Sequence, residues 1–135
     1  MLSDQGPRRA HGAPALFFEQ PTWCHHGPVV LAQRAGVPIV PACCLRVGWD
    51  RFICFVGRPL HVQGRSATAA LQHCMDDIAS MIAFAPGQYF WQHRRFKYRA
   101  PGLSPRDRAP WRDRRRLVDP ACISTSKPTT TSTRM

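Results

Sequence analysis

Between Ser66 and Pro86 apolar residues recur as Leu71, Met75, Ile78 and Ile82, at steps of four, three and four. Those steps trace one face of a helix that turns every 3.6 residues. Ser66 suits the N-cap, where its hydroxyl accepts an otherwise orphaned backbone N–H. Pro86 ends the segment, since its ring crowds the preceding turn and it has no N–H to donate. A helix with one apolar stripe must bury that stripe against other elements, so the rest of the chain has to supply them. His73, Asp76 and Asp77 fall off the stripe and are expected to face water.

The preceding residues supply short strands and one short helix. Residues 1–12 are polar and turn-rich and read as loop. Residues 13–18 form an apolar run closed by Glu19, Gln20 and Pro21, which predicts a buried strand. Gly27-Pro28 opens a two-turn helix that Gly36 closes, proline being tolerated in a first turn and glycine favoured just past a helix end. Residues 37–44 are nearly all apolar and β-branched, the composition of a strand covered on both faces, as in a parallel sheet. Pro38 and Pro41 do not suit a central ladder position, so this strand should lie at an edge, be irregular or begin late. Gly48-Trp49-Asp50 predicts a hairpin turn into a strand over residues 51–56, where Phe52, Cys54 and Val56 alternate with Arg51, Ile53 and Phe55. Strand, helix, strand, strand and long helix make the fold class α/β.

After the helix the chain reads Pro-Gly-Gln-Tyr-Phe-Trp-Gln-His-Arg-Arg-Phe-Lys over residues 86–97. If extended, it places Tyr89, Trp91, His93, Arg95 and Lys97 on one face and Gln88, Phe90, Gln92, Arg94 and Phe96 on the other. Rings beside cations suit an anionic ligand with an apolar or planar body, because guanidinium groups fork onto phosphate while rings supply dry contact area. Nucleic acid and phosphorylated lipid both satisfy that description. His93, Arg94, Arg95 and Lys97 are therefore the candidate anion-binding residues, for lipid phosphates or for acidic groups of a partner protein. The blander alternative is an edge strip with Trp91 and Phe96 in the core and its cations merely solvated.

Composition limits the rest. At 135 residues the chain holds one domain at most. Its net charge is +11, and residues 100–135 supply 8 basic against 3 acidic side chains, nearly half of that excess in a quarter of the length. This stretch is rich in Pro, Arg and Asp and then in Ser and Thr, without apolar periodicity, and reads as a disordered tail from residue 102. The six cysteines include no Cys-x-x-Cys pair and read as reduced, mostly buried cytosolic thiols. Cys24, His25 and His26 lack a second ligand pair at zinc spacing, so no metal and no cofactor is expected. The first residues have no signal-peptide pattern, and no apolar run approaches the roughly 18 residues that span a bilayer.

One family matches these features in order. The string Pro86, Gln88, Tyr89, Trp91, His93, Arg94, Arg95, Phe96 and Lys97 resembles the C-terminal signature of the bacterial lipid A biosynthesis acyltransferases, in the wider glycerolipid acyltransferase superfamily. Upstream, Asp4-Gln5, Gly12, Leu16-Phe17-Phe18, Thr22, Gly27-Pro28 and Arg34-Ala35-Gly36-Val37-Pro38-Ile39-Val40-Pro41 agree with the family pattern in order and approximate spacing. The resemblance covers residues 2–101, the C-terminal part of an acyltransferase domain, and implies a partial mixed sheet with flanking helices. It implies transfer of a fatty acyl group from acyl carrier protein to a phosphorylated glucosamine lipid precursor, at the cytoplasmic face of the inner membrane, with peripheral contact to anionic lipid. It also implies that Asp4 and Gln5 line the acceptor pocket, against the alternative of a polar loop. Two departures stand out. Glu19 occupies a position where the family usually has glycine, and the family's His-x4-Asp or His-x4-Glu motif is absent. Five positions after His11, His25, His26, His61, His73 and His93 stand Leu16, Val30, Leu31, Ser66, Ile78 and Tyr98. The chain therefore resembles the C-terminal half of such an enzyme, begun at an internal methionine, and is expected to be inactive alone. A small nucleic-acid-binding protein and a non-functional remnant are the alternatives.

Overall fold

The computed structural model describes residues 6–7, 12–93, 95–97, 100 and 102. The tail predicted from residue 102 lies outside them apart from Gly102. Strands β1 (Ala13–Phe17) and β2 (Gln20–Cys24) form one antiparallel hairpin, and helix α1 (Gly27–Ala35) follows. Strands β3 (Ala42–Arg46) and β4 (Phe52–Val56) form a second antiparallel hairpin, and helix α2 (Ala67–Phe84) and a 3-10 turn at Pro86–Gln88 complete the order. The fold is α/β, and its strands are arranged as two separate two-stranded sheets.

The β1–β2 hairpin is tighter than its sequence suggests. Glu19, Gln20 and Pro21, expected to close a lone strand, instead turn the chain and begin β2. The turn residues Phe18 and Glu19 both have positive φ, 48° and 64°, which matches the twist of a two-residue hairpin loop. Pro21 fits inside a strand because it pairs with Leu16, whose N–H and C=O point away from β2. Those outward groups are taken by one side chain. Gln72 of α2 accepts from Leu16 N at 2.7 Å and donates to Leu16 O at 2.8 Å, so its amide does what a further strand would do.

Helix α2 is capped as predicted, with the Ser66 hydroxyl accepting from Ala69 N. It lies against β1 and α1, and Leu71 and Met75 are fully buried beside Phe17 and Val29. Each such side chain contributes about 2–3 kcal/mol of burial. The expectation that Asp76 and Asp77 face water fails, since they are 3% and 2% exposed. Contacts on two sides widen the buried face beyond the four-residue stripe. Asp76 Oδ1 accepts from Gln72 Nε2 at 3.1 Å, and Asp77 Oδ1 lies 3.7 Å from His73 Nε2, so both carboxylates have polar neighbours in the interior.

Residues 37–44 divide in two. Ile39 makes an isolated bridge with Leu60, and the strand begins late, at Ala42, just past Pro41. Its expected cover on both faces is not found: β3 and β4 each alternate exposed with half-buried residues, so one face of this hairpin is open. The cysteines of this hairpin are correspondingly less buried than expected, with Cys44 and Cys54 exposed.

Candidate anion-binding site

The strip after α2 is not extended. From Ala85 the chain coils through the 3-10 turn and two further turns, with Trp91 N donating to Tyr89 O, His93 N to Phe90 O and Arg95 N to His93 O. Period-two facing therefore does not apply, and the side chains sort by what each turn packs against. Gln88 reaches β3, accepting from Arg46 N at 2.8 Å and donating to Arg46 O at 2.9 Å. This is the same amide device that Gln72 applies to β1, and it anchors the start of the strip. Trp91 Nε1 donates to Pro86 O at 2.7 Å and closes the first coil.

The rings gather at the end of β1. Phe17, fully buried, has Phe18 at 4.8 Å, Phe96 at 6.0 Å and Tyr89 at 6.4 Å between ring centroids. Trp91 in turn lies 4.8 Å from Tyr89 and 5.8 Å from Phe18. Neither reading of Trp91 and Phe96 holds in full, because they pack on this cluster yet stay 50% and 38% exposed.

The predicted cations separate. Arg95, expected at the surface, is 4% exposed. Its guanidinium lies 5.0 Å over the Phe17 ring, donates from one nitrogen to Trp23 O at 2.7 Å, and from the other to Cys24 Sγ at 3.0 Å. The Arg95 carbonyl accepts from the Thr22 hydroxyl at 3.1 Å. Arg95 is thus bolted to the outer edge of β2 from both its backbone and its side chain. Burial pushes the Cys24 thiol up in pKa, and the neighbouring guanidinium partly offsets that rise. Among the described residues no carboxylate pairs with Arg95, and its buried Nε has no hydrogen-bond partner. Lys97 is exposed, and Arg94 lies outside the described residues.

His93 and Arg95 together meet the start of the chain. Gly6 N donates to His93 Nε2 at 3.1 Å, and a Cβ on Gly6 would lie 3.5 Å from an Arg95 guanidinium nitrogen. Because Nε2 accepts, a neutral His93 ring carries its proton on Nδ1. Asp4 and Gln5 lie outside the described residues, and Gly6 follows them directly. Gly12 permits this arrangement: a Cβ there would meet the Pro7 ring at 2.6 Å. Sequence reasoning missed Gln72 and the actions of Thr22 and Gln88. Glutamine and threonine carry no periodic signal, and their partners are backbone groups far away in the chain.

Between α1, β3 and α2 lies an open, largely apolar groove of about 720 Å³, lined by Leu31, Val40, Cys43, Ile78, Met81 and Tyr89 among others. No helix among the described residues is long and apolar enough to cross a membrane.

A family model described as bacterial lipid A biosynthesis acyltransferase matches residues 1–98, so α/β scaffold, aromatic cluster and cationic strip all fall inside the match. The chain belongs to the bacterial lipid A biosynthesis acyltransferase family. No curated protein matches it.

Proposed function

We propose that this chain forms the acceptor-binding part of an enzyme that moves a fatty acyl group from acyl carrier protein onto a hydroxyl of a phosphorylated glucosamine disaccharide lipid. The observation that supports this best is the meeting of Gly6 with His93 and Arg95, which joins the segment after Asp4-Gln5 to the cationic strip across 87 positions of sequence. In this reading Asp4 and Gln5 line the acceptor pocket, while His93, Arg94 and Lys97 hold the lipid phosphates. Arg95 positions them: its grip on β2 fixes the turn from which its neighbours project.

Attack on a thioester needs a general base for the acceptor hydroxyl, an imidazole oriented by a carboxylate in this family. None of the histidines of this chain has a carboxylate five positions on. We assign the base to a separate stretch of the domain, bearing the His-x4-Asp or His-x4-Glu motif and packing in the groove beside β3. Residues 1–101 are then the C-terminal part of that domain, and this chain alone transfers nothing. Phe90 and Trp91, 64% and 50% exposed beside the cations, suit peripheral contact with an anionic membrane at its cytoplasmic face.

The test is an acyl-transfer assay with acyl carrier protein thioester and the phosphorylated disaccharide lipid. The chain alone should give no product, and adding the motif-bearing part of a family member should restore transfer. In that reconstituted enzyme His93→Ala and Arg94→Ala should raise the acceptor KM by roughly tenfold, the weight of one lost charge-assisted hydrogen bond. Product from the chain alone, or an unchanged acceptor KM in both variants, would count against the proposal.

A further inference from the structure

In the β3–β4 hairpin Cys44 stands directly opposite Cys54. Val47 N donates to Arg51 O and Gly57 N to Pro41 O, and hydrogen-bonded positions recur at every second residue between these limits. Cys44 and Cys54 therefore occupy a pair that exchanges no backbone bond, where the Cα atoms and side chains of antiparallel strands lie closest. Their sulfurs are 3.3 Å apart, and both residues belong to the open face of the hairpin, with Arg46, Phe52 and Val56. Cα separations typical of such a pair fall within the range that a disulfide spans.

We propose that Cys44 and Cys54 are a reversible dithiol–disulfide site, oxidised through exchange with a low-molecular-weight disulfide such as glutathione disulfide. One thiol, as its thiolate, attacks a glutathione sulfur, and a mixed disulfide forms as the first glutathione thiolate leaves. The second protein thiolate attacks the mixed disulfide, closing the Cys44–Cys54 bond and releasing the other glutathione. Two protein thiols are oxidised, one glutathione disulfide is reduced, and the two thiol protons end on the two glutathione molecules. The product staples β3 to β4 in the register already present.

The other described cysteines are poor competitors. Cys43 lies opposite Phe55, on the other face of the hairpin. The Cys24 sulfur is buried and accepts from Arg95. Burial, reinforced by the nearby Asp77 carboxylate, pushes the Cys74 thiol up to about 12, so it offers little thiolate near neutral pH. This site is separate from the anion-binding site and does not depend on the acyl-transfer proposal.

The experiment incubates the full chain in buffers of graded reduced and oxidised glutathione, counts free thiols and maps disulfide-linked tryptic peptides by mass. Starting from six cysteines, the chain should lose two thiols and become about 2 Da lighter. The linked peptides should be those holding Cys44 and Cys54. Cys43→Ser should behave as the parent, whereas Cys44→Ser and Cys54→Ser should form no internal bridge, the remaining thiol stopping at the mixed disulfide with one glutathione attached. Bridge formation should be roughly tenfold faster folded than in guanidinium chloride, since the fold supplies the effective concentration. Retention of all thiols, a bridge through Cys43, linkage between chains instead of within one, or equal rates folded and denatured would each overturn the proposal.

Discussion

Arg95 takes a positive charge into the interior and spends its donors on groups that have nowhere else to turn. Trp23 O lies on the outer edge of β2, where no strand follows among the described residues, and Thr22 binds the Arg95 backbone one residue away. Replacing Arg95 with methionine should keep the packing on Phe17 while leaving Trp23 O unpaired. We expect a loss of about 2–3 kcal/mol, read as a lowered midpoint in urea unfolding. Arg95→Lys should restore little of it, because one ammonium cannot fork between Trp23 O and Cys24 Sγ as a planar guanidinium does. Arg95 was legible as a cation in a basic strip. Its burial was not, because the groups that pull it inward are 71 and 72 positions away.

At the scale of elements, both hairpins have exposed edges, and glutamine amides cover part of them, Gln72 at Leu16 and Gln88 at Arg46. Each offers one donor and one acceptor in a plane, the pattern of a neighbouring peptide group. The β1–β2 turn is less comfortable. Glu19 sits at φ 64°, a left-handed conformation in which a Cβ crowds the following carbonyl. Glycine at this position escapes that crowding, in line with the glycine usual for the family. Glu19→Gly should therefore stabilise the chain by about 1 kcal/mol and raise its thermal midpoint, whereas Glu19→Ala should not. Helices α1 and α2 were legible because capping and periodicity are local. Strand β2 was not, since its hydrophobic signal is weak and a proline stands inside it.

Across the whole molecule, charge and exposed rings combine. A net charge of +11 attracts any polyanion, while Phe90, Trp91 and Trp49 expose 64%, 50% and 93% of their surface. The chain should bind phosphatidylglycerol vesicles and not neutral phosphatidylcholine ones, with affinity falling as salt rises from about 0.05 to 0.5 M, where screening shortens to a few ångströms. Phe90→Ser with Trp91→Ser should weaken binding while leaving its salt dependence unchanged, as measured by vesicle co-sedimentation. An unaltered affinity in the double variant would assign binding to charge alone.

By itself the sequence determined the helices, the second hairpin turn, the α/β class and the family, because periodicity, capping, turn chemistry and motif order are all written within short spans of chain. Only the tertiary structure decided that residues 86–93 and 95–97 coil instead of extending, that Asp76, Asp77 and Arg95 are buried, and that Cys44 meets Cys54. Those outcomes depend on where backbone donors and acceptors remain unpaired after the hairpins form. A side chain from a distant element then supplies the missing bond, and no local pattern records which one it will be.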